Sequence, residues 1–235
     1  MLVGAVATLW LAATGKLTLY IHPRYTVFTV VMASAAVILL LAALAVLPAQ
    51  REDHDHDHDA PPALRSRILG WSYIALLITA ALALLVVPPA TLSPSMLQSR
   101  DIVTAGQRLD TVDVPKLQGS DPATFSVKDW AALMQRGGAE SVLGQDISVS
   151  GYVLDQGQDD VFLIARMTVT CCAVDAQPIG LPVYRPDWKS ELRESTWIAI
   201  KGTFVEDVGR GGRHPAVISV DSLNKIEEPD NPYVF

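Results

Sequence analysis

The chain has 235 residues, of which 50% are hydrophobic and 18% are charged, and its formal net charge is −7 at pH 7. This apolar excess is typical of a membrane protein and excludes an ordinary soluble domain. An acidic balance repels phosphate backbones, so nucleic acid is not expected as a partner.

The apolar residues are concentrated in three stretches within residues 1–90, at about 2–20, 26–47 and 68–87. Each is close to the ~20 residues that a helix needs to cross the hydrocarbon core of a bilayer. A signal peptide is the alternative for the first stretch, but that stretch lacks a basic N-terminal region. We therefore predict a multi-pass protein of the cell membrane, with three transmembrane helices in the lipid bilayer.

Positive charges flank the loop at residues 50–67, between the second and third predicted spans. The count of positive charges alone leaves the orientation undecided, because three flank this loop (Arg51, Arg65 and Arg67) and four lie on the opposite side (Lys16, Arg24, Arg100 and Arg108). Arg65 and Arg67 lie immediately before the third span. Cytoplasmic loops carry an excess of Lys and Arg, and the pair directly before a span favours a cytoplasmic loop here. This orientation predicts that the soluble domain is extracytoplasmic.

The same loop contains the run DHDHDHD at residues 53–59. In an extended chain His54, His56 and His58 share one face, and the aspartates share the other. Neutral imidazoles next to carboxylates suit zinc or another transition metal. Histidine tracts of low complexity also chelate metals weakly as solvated runs. A metal site and a solvated linker therefore both remain open for these three histidines.

After Pro88 and Pro89 the composition changes to mixed polar sequence, which marks a domain boundary. Residues 91–125 have little periodicity and are predicted to be a linker. The following segment, SVKDWAALMQR, has Ser126 as a candidate N-cap and apolar residues at helical spacing, and Gly137 and Gly138 follow it. We expect one helix there, at the start of a soluble domain over residues 126–235.

From Asp146 the apolar period changes to two, which is typical of β-strands. Five strands are predicted, within DISVSGYVLD, VFLIARMTV, LPVY, TWIAIKGTFVE and PAVISVDSL. Gly151 inside the first suggests a β-bulge, and Gly202 holds the corresponding place in the fourth. Five short strands with internal glycines predict a small closed OB-like barrel, with a small open sandwich as the alternative. The predicted fold class is a membrane α-helical part plus a small all-β domain.

These features occur in one order along the chain: three spans, a histidine-bearing loop, then GYV, FLIAR, TCCAVDAQPIGLPV, WIAIKGTF and PDNPYVF. In that order they resemble the YcgQ-like permease-subunit family over essentially the whole chain, with CCAVDA and NPYVF as the most distinctive pieces. Members of that family are generally paired with a separate multispanning predicted permease, and in some bacteria they occur among zinc-responsive genes. The resemblance therefore implies a transport role, with a multispanning permease as partner and a metal as a candidate substrate.

The two cysteines of the chain, Cys171 and Cys172, are adjacent. On a regular strand they would point to opposite faces, so both could bind one metal only within a turn. Three interpretations remain open. The cysteines could be packing residues. They could form a soft metal site in which a thiolate works with Asp175, joined by His214 or the other thiol. They could also be a redox pair or a vicinal disulfide.

No nucleotide-binding motif appears in the sequence, and no residue is placed to orient a Cys–His nucleophile, so an enzyme is not expected. Three short spans without an intramembrane carboxylate make a poor complete transporter. We therefore expect a membrane-anchored accessory subunit of a permease that handles a metal such as zinc. The alternative is an envelope thiol, redox or metal-sensing protein that acts without a permease.

Overall fold

The computed structural model describes residues 1–46, 79, 103–104, 121–207 and 214–235. The chain divides into two compact units, Met1–Ala90 and Thr91–Phe235. Each has its own architecture. The described part of the first unit is helical, and the second is built on β-strands.

Two apolar helices pack against each other in the first unit. Helix α1 spans Leu2–Ala13 and helix α2 spans Thr26–Val46, with short 3-10 turns at Lys16–Leu19 and Pro23–Tyr25 between them. Helix α1 ends because Gly15, two residues after its last turn, adopts the left-handed conformation with φ of 71°. A glycine in this conformation is a common helix terminator, since other residues are strained there.

Of the three predicted spans, one is supported by a helix of sufficient length. Among the described residues, Pro23–Ala43 is the one helix that is long and apolar enough to cross a membrane. The prediction is wrong for residues 2–20, because the 12 residues of α1 rise only about 18 Å and the hydrocarbon core is about 30 Å thick. The predicted span at residues 68–87 and the loop at 50–67 lie outside the described residues.

The second unit contains helix α3, Val127–Gly137, whose start was predicted from its cap. The Ser126 side chain accepts the Asp129 N–H, and the Asp129 carboxylate accepts the Ser126 N–H at 2.8 Å, which together form a capping box. Gly138, with φ of 70°, follows the last helical residue. The buried face of α3 packs against the strands of the barrel.

A closed five-stranded OB-like barrel forms the centre of the second unit. Its strands span Asp146–Leu154 (β2), Val161–Thr168 (β3), Gln177–Tyr184 (β4), Trp197–Val205 (β5) and Val217–Lys225 (β6). Strand β2 is joined to β3, β3 to β4, β4 to β6, β6 to β5, and β5 back to β2, so the ring has no open edge. The prediction of such a barrel is confirmed. A short helix α4, Trp188–Glu191, connects β4 to β5.

Glycines allow the barrel strands to coil tightly over their neighbours. A Cβ added at Gly151 would collide with the Ala165 carbonyl oxygen, and one added at Gly202 would collide with the Ser219 carbonyl oxygen. The predicted bulge at Gly151 is wrong, because β2 pairs with β5 in unbroken register through this residue. The register shift lies instead between Lys201 and Gly202, on the side of β5 that faces β6.

The core fills the barrel and the space beneath α3. The Trp130 ring of α3 packs between Phe125 and Phe204, with centroids 5.3 Å from each. On another side, Phe162 of β3 packs against Trp188 of α4 at 5.3 Å. These aromatic contacts bury large apolar areas, which accounts for much of the stability of a small barrel.

Two further strands lie outside the ring. Strand β1, Val103–Thr104, lies in the segment predicted as a linker and pairs in parallel with β4. Strand β7, Tyr233–Val234, pairs in parallel with Met167 and Thr168 at the end of β3. Strand β2 pairs with β3 only as far as Ala165. The C-terminal strand β7 therefore occupies the part of the β3 edge that β2 leaves uncovered.

Candidate metal site

The turn between β3 and β4 carries both cysteines. Strand β3 ends at Thr168, and β4 begins at Gln177. Between them the chain forms a 3-10 turn at Ala173–Asp175, in which the Asp175 N–H donates to the Cys172 carbonyl at 3.0 Å. This bond folds Asp175 back towards the start of the turn.

The Asp175 carboxylate holds the start of the turn in place. Its Oδ1 accepts the Thr170 N–H at 3.0 Å, and its Oδ2 accepts the Cys171 N–H at 2.7 Å. Two backbone donors on one carboxylate orient the side chain firmly, since charge-assisted hydrogen bonds are among the stronger ones.

The same turn brings the two sulfurs to one side. Cys171 and Cys172 are free thiols with their Sγ atoms 3.5 Å apart. The two Sγ atoms and a carboxylate oxygen of Asp175 all lie within 4.8 Å of one another. The alternation of a regular strand, which would separate adjacent side chains, does not apply here because the chain has left β3.

In the metal-free turn the electrostatics keep the Cys171 thiol protonated. The hydrogen bond of the Cys171 thiol to Asp175 raises the pKa of Cys171, and its hydrogen bond to Cys172 contributes less; together they bring this pKa to about 12. Partial burial raises the pKa of the Asp175 carboxyl, but hydrogen bonds from Cys171 and Thr170 outweigh it and hold this pKa below its usual range. Three groups that can become anions therefore share one small volume. A bound cation would replace the thiol protons and offset the repulsion between them.

The donor set fits zinc. Two sulfurs that are each about 2.3 Å from a tetrahedral zinc ion lie about 3.8 Å apart. The observed Sγ separation of 3.5 Å is close to that distance. Cys171 is exposed, and Cys172 and Asp175 are half-buried, so a metal could enter from solvent without unfolding. Three protein ligands leave one position of a tetrahedral shell open.

The histidine considered for this site lies elsewhere. The His214 Nε2 is 3.2 Å from the Gln158 side-chain amide, and its backbone N–H donates to Asp207 Oδ2 at 3.2 Å. Among the described residues, the group that could hold a metal contains the two cysteines and Asp175 but not His214. The predicted ligands in the loop, His54, His56 and His58, lie outside the described residues.

The sequence patterns did not single out Arg166, which is a half-buried residue of β3 five positions before the first cysteine. Its guanidinium lies over the Trp197 ring, 5.1 Å from the centroid, and burial lowers its pKa. The signal that could have identified it is one cation inside the otherwise apolar run VFLIARM. A strand that buries a guanidinium must supply acceptors for it.

Comparisons with known proteins place the chain in one family. The DUF1980 N-terminal domain matches residues 1–103, and the DUF1980 C-terminal domain matches residues 114–235. A sequence search among curated proteins finds no match. Among solved structures, the chain is similar to the OBody AM1L10 bound to hen egg-white lysozyme. The identity is 17% and the TM-score is 0.22, and the match covers 37% of this chain and 83% of that one.

Proposed function

The chain belongs to the DUF1980 family, and we propose that it is a membrane-anchored accessory subunit that binds zinc and exchanges it with a permease. The observation that carries this proposal is the Cys171–Cys172–Asp175 turn, in which three metal-binding atoms lie within 4.8 Å of one another. Thiolates and a carboxylate together suit Zn²⁺ better than Mg²⁺ or Ca²⁺, which prefer oxygen ligands throughout.

An exchange role fits this turn better than a structural role. Structural zinc sites are closed by four protein ligands, whereas this turn offers three. The open position can take a ligand from a partner, so the metal can pass from one protein to the other without being released to solvent. The turn also protrudes, since the Val174 side chain at its tip is 79% exposed. A partner can therefore approach the metal directly.

The first unit supports the proposal of a membrane anchor and of a partner in the membrane. Helix α2 is long and apolar enough to cross a bilayer, and it would hold the barrel close to a membrane. An anchor is not a transport path, and zinc delivered at a membrane needs a separate pore. This reasoning supports a multispanning permease as the partner, in agreement with the resemblance drawn from the sequence.

Metal analysis of the full-length chain, purified in detergent, tests the binding step. We expect about one zinc ion bound at the turn per chain, and the Cys171→Ser and Cys171→Ala variants should lose it equally because both remove the thiolate. Asp155→Asn is the matched control, because Asp155 also accepts a backbone N–H in a turn, from Gly157 at 2.7 Å. Zinc should also protect Cys171 from alkylation in the wild-type chain.

A zinc content equal to that of wild type in both cysteine variants would refute the metal site. The partner step has its own test, which is affinity purification of a tagged full-length chain from its native membrane. We expect a multispanning protein to be recovered with the tagged chain. If the metal bridges the two proteins, less of this protein should be recovered with a chain in which both cysteines are replaced. Recovery of the chain alone would contradict the accessory role.

A second function, thiol redox chemistry, is supported by the 3.5 Å separation of the two sulfurs. Loss of two protons and two electrons to a disulfide-containing oxidant would join them in a vicinal disulfide, whose bond length is about 2.05 Å. A mass decrease of about 2 Da on incubation with oxidised glutathione, reversed by a reductant, would favour this function over metal exchange.

A further inference from the structure

The C-terminal NPYVF segment is held against the barrel by Arg166. The guanidinium Nη2 donates to the carbonyl oxygens of Asn231 at 3.0 Å and Tyr233 at 3.4 Å. Among the described residues, no ion pair involves this arginine. The guanidinium is therefore stabilised by two neutral carbonyls and the Trp197 ring, whereas a half-buried guanidinium is usually paired with a carboxylate.

The C-terminal segment is also ordered by its own contacts. The Asn231 side-chain oxygen accepts the Tyr233 N–H at 3.1 Å, and Tyr233 is 4% exposed. Next to it lies a cluster on β2, β3 and β5. The Tyr152 hydroxyl approaches the Met167 sulfur at 3.6 Å, and the Tyr152 ring packs on Trp197 at 5.7 Å. The segment is thus packed on the outside of the barrel at the end of β3.

The position of this segment relates it to the cysteine turn. Strand β7 pairs with Met167 and Thr168, the last two residues of β3. Thr170, whose N–H begins the network around Asp175, comes two residues later. At about 3.3 Å per residue of extended chain, the strand end held by β7 and that N–H are at most about 7 Å apart. Movement of the strand end would therefore move the backbone donors that orient the carboxylate.

We propose that Arg166 and the segment Asn231–Val234 form a clasp that positions the metal-binding turn, which makes Arg166 a positioning residue for zinc. The inference rests on the proposed function, because it concerns the same site. It explains why a cation lies inside an apolar strand. The planar guanidinium bonds two carbonyls and stacks on Trp197 at once, whereas a lysine ammonium is a point charge that cannot reproduce this arrangement.

The test measures zinc affinity of the full-length chain in detergent, by competition with a chromophoric chelator. Arg166→Met keeps the apolar stem and removes the donors, and we expect a Kd about 10-fold weaker. Loss of a group that is hydrogen-bonded to a ligand costs about 10- to 100-fold, and Arg166 acts on the ligands only through the backbone, so we expect the lower end of that range. Arg166→Lys should recover part of the affinity. Arg185→Met is the matched control, because Arg185 is ion-paired with Glu191 at 2.6 Å and should leave the Kd within about twofold.

Amide hydrogen exchange separates positioning from general loss of stability. In the metal-free Arg166→Met chain, the N–H groups of Thr170 and Cys171 should exchange faster, while core amides such as that of Val153 keep their protection. If Arg166→Met does not fold, Asn231→Ala serves instead. It removes the acceptor for the Tyr233 N–H and should weaken zinc binding by about threefold.

The outcomes distinguish this inference from the proposed function. Wild-type chain that binds no zinc, or binds it equally after Cys171→Ser, refutes the proposed function, and the clasp falls with it. Cysteine-dependent binding with an unchanged Kd in both Arg166→Met and Asn231→Ala overturns the clasp alone. An equal loss of affinity in Arg185→Met would also overturn it.

Discussion

Replacing Asp175 with asparagine should make the Cys171 thiol more reactive towards an alkylating reagent at neutral pH. In the wild-type chain this thiol is exposed, but hydrogen bonding to the Asp175 carboxylate raises its pKa to about 12. The thiolate is the reactive form, so an exposed cysteine with a raised pKa reacts slowly. Asparagine has nearly the same shape and no charge, so the pKa should fall towards that of an ordinary thiol.

The size of the effect can be worked out from this pKa. A thiol of ordinary pKa, about 8.5, is about one-quarter ionised at pH 8, whereas a thiol with a pKa of 12 is ionised in about one molecule in 10,000. The gain in thiolate is therefore at most roughly 2,000-fold, because Cys172 also raises this pKa and remains in the variant. A thiolate of lower pKa is less nucleophilic, with a Brønsted coefficient of about 0.4–0.5, which reduces the gain in rate to roughly 50-fold. Because solvent screens an exposed pair, we expect at least about 10-fold.

The assay is the pH–rate profile of iodoacetamide labelling between pH 6 and 10, with the modified cysteine located by peptide mass spectrometry. The rate for wild-type Cys171 should still rise at pH 10, because its raised pKa lies above this range. The rate for Asp175→Asn should level off near pH 9. Asp155→Asn, the control defined above, should behave as wild type. Superimposable profiles for wild type and Asp175→Asn would refute the electrostatic account of the turn.

Three other outcomes are expected. Gly202→Ala should destabilise the barrel by about 1–3 kcal/mol, because its Cβ would collide with the Ser219 carbonyl oxygen, and an unchanged urea midpoint would contradict the role of this glycine. A reporter fused after Phe235 should be active only outside the cytoplasm, and cytoplasmic activity would reverse the predicted orientation. Replacing the three histidines of the 50–67 loop with serine should lower the total zinc bound per chain. It should leave the melting temperature of the barrel unchanged, because the loop belongs to the other unit; unchanged zinc content would leave the loop without a metal role.

Local patterns in the sequence were enough to predict most of the barrel. Alternating apolar residues predicted the five strands within a few residues of their ends, since a strand with one buried face needs that period. Ser126 marked the start of α3 because an N-cap depends only on its own turn of helix. The glycines in the first and fourth predicted strands pointed correctly to tight coiling, although the register shift occurs at Gly202 and not at Gly151.

The sequence was a poorer guide where distant contacts or helix ends decide the structure. The apolar run at residues 2–20 predicted a span, but Gly15 ends α1 after 12 helical residues. Strand β4 begins four residues earlier than predicted, because pairing with β3 outweighs the turn preferences of Pro178 and Gly180. The two-residue strands β1 and β7 have no periodicity to detect and exist only through their pairing with β4 and β3.

The sequence by itself determined which donor atoms are available near the candidate site, since Cys171, Cys172 and Asp175 lie within five consecutive residues. Whether the two sulfurs face the same way was decided by the folded structure. Adjacent side chains diverge on a strand and converge only where the backbone turns, and here the turn is held by two N–H groups on one carboxylate. The contact of Arg166 with the C-terminal segment, 65 residues further along the chain, was decided in the same way, because closure of the barrel brings the two together.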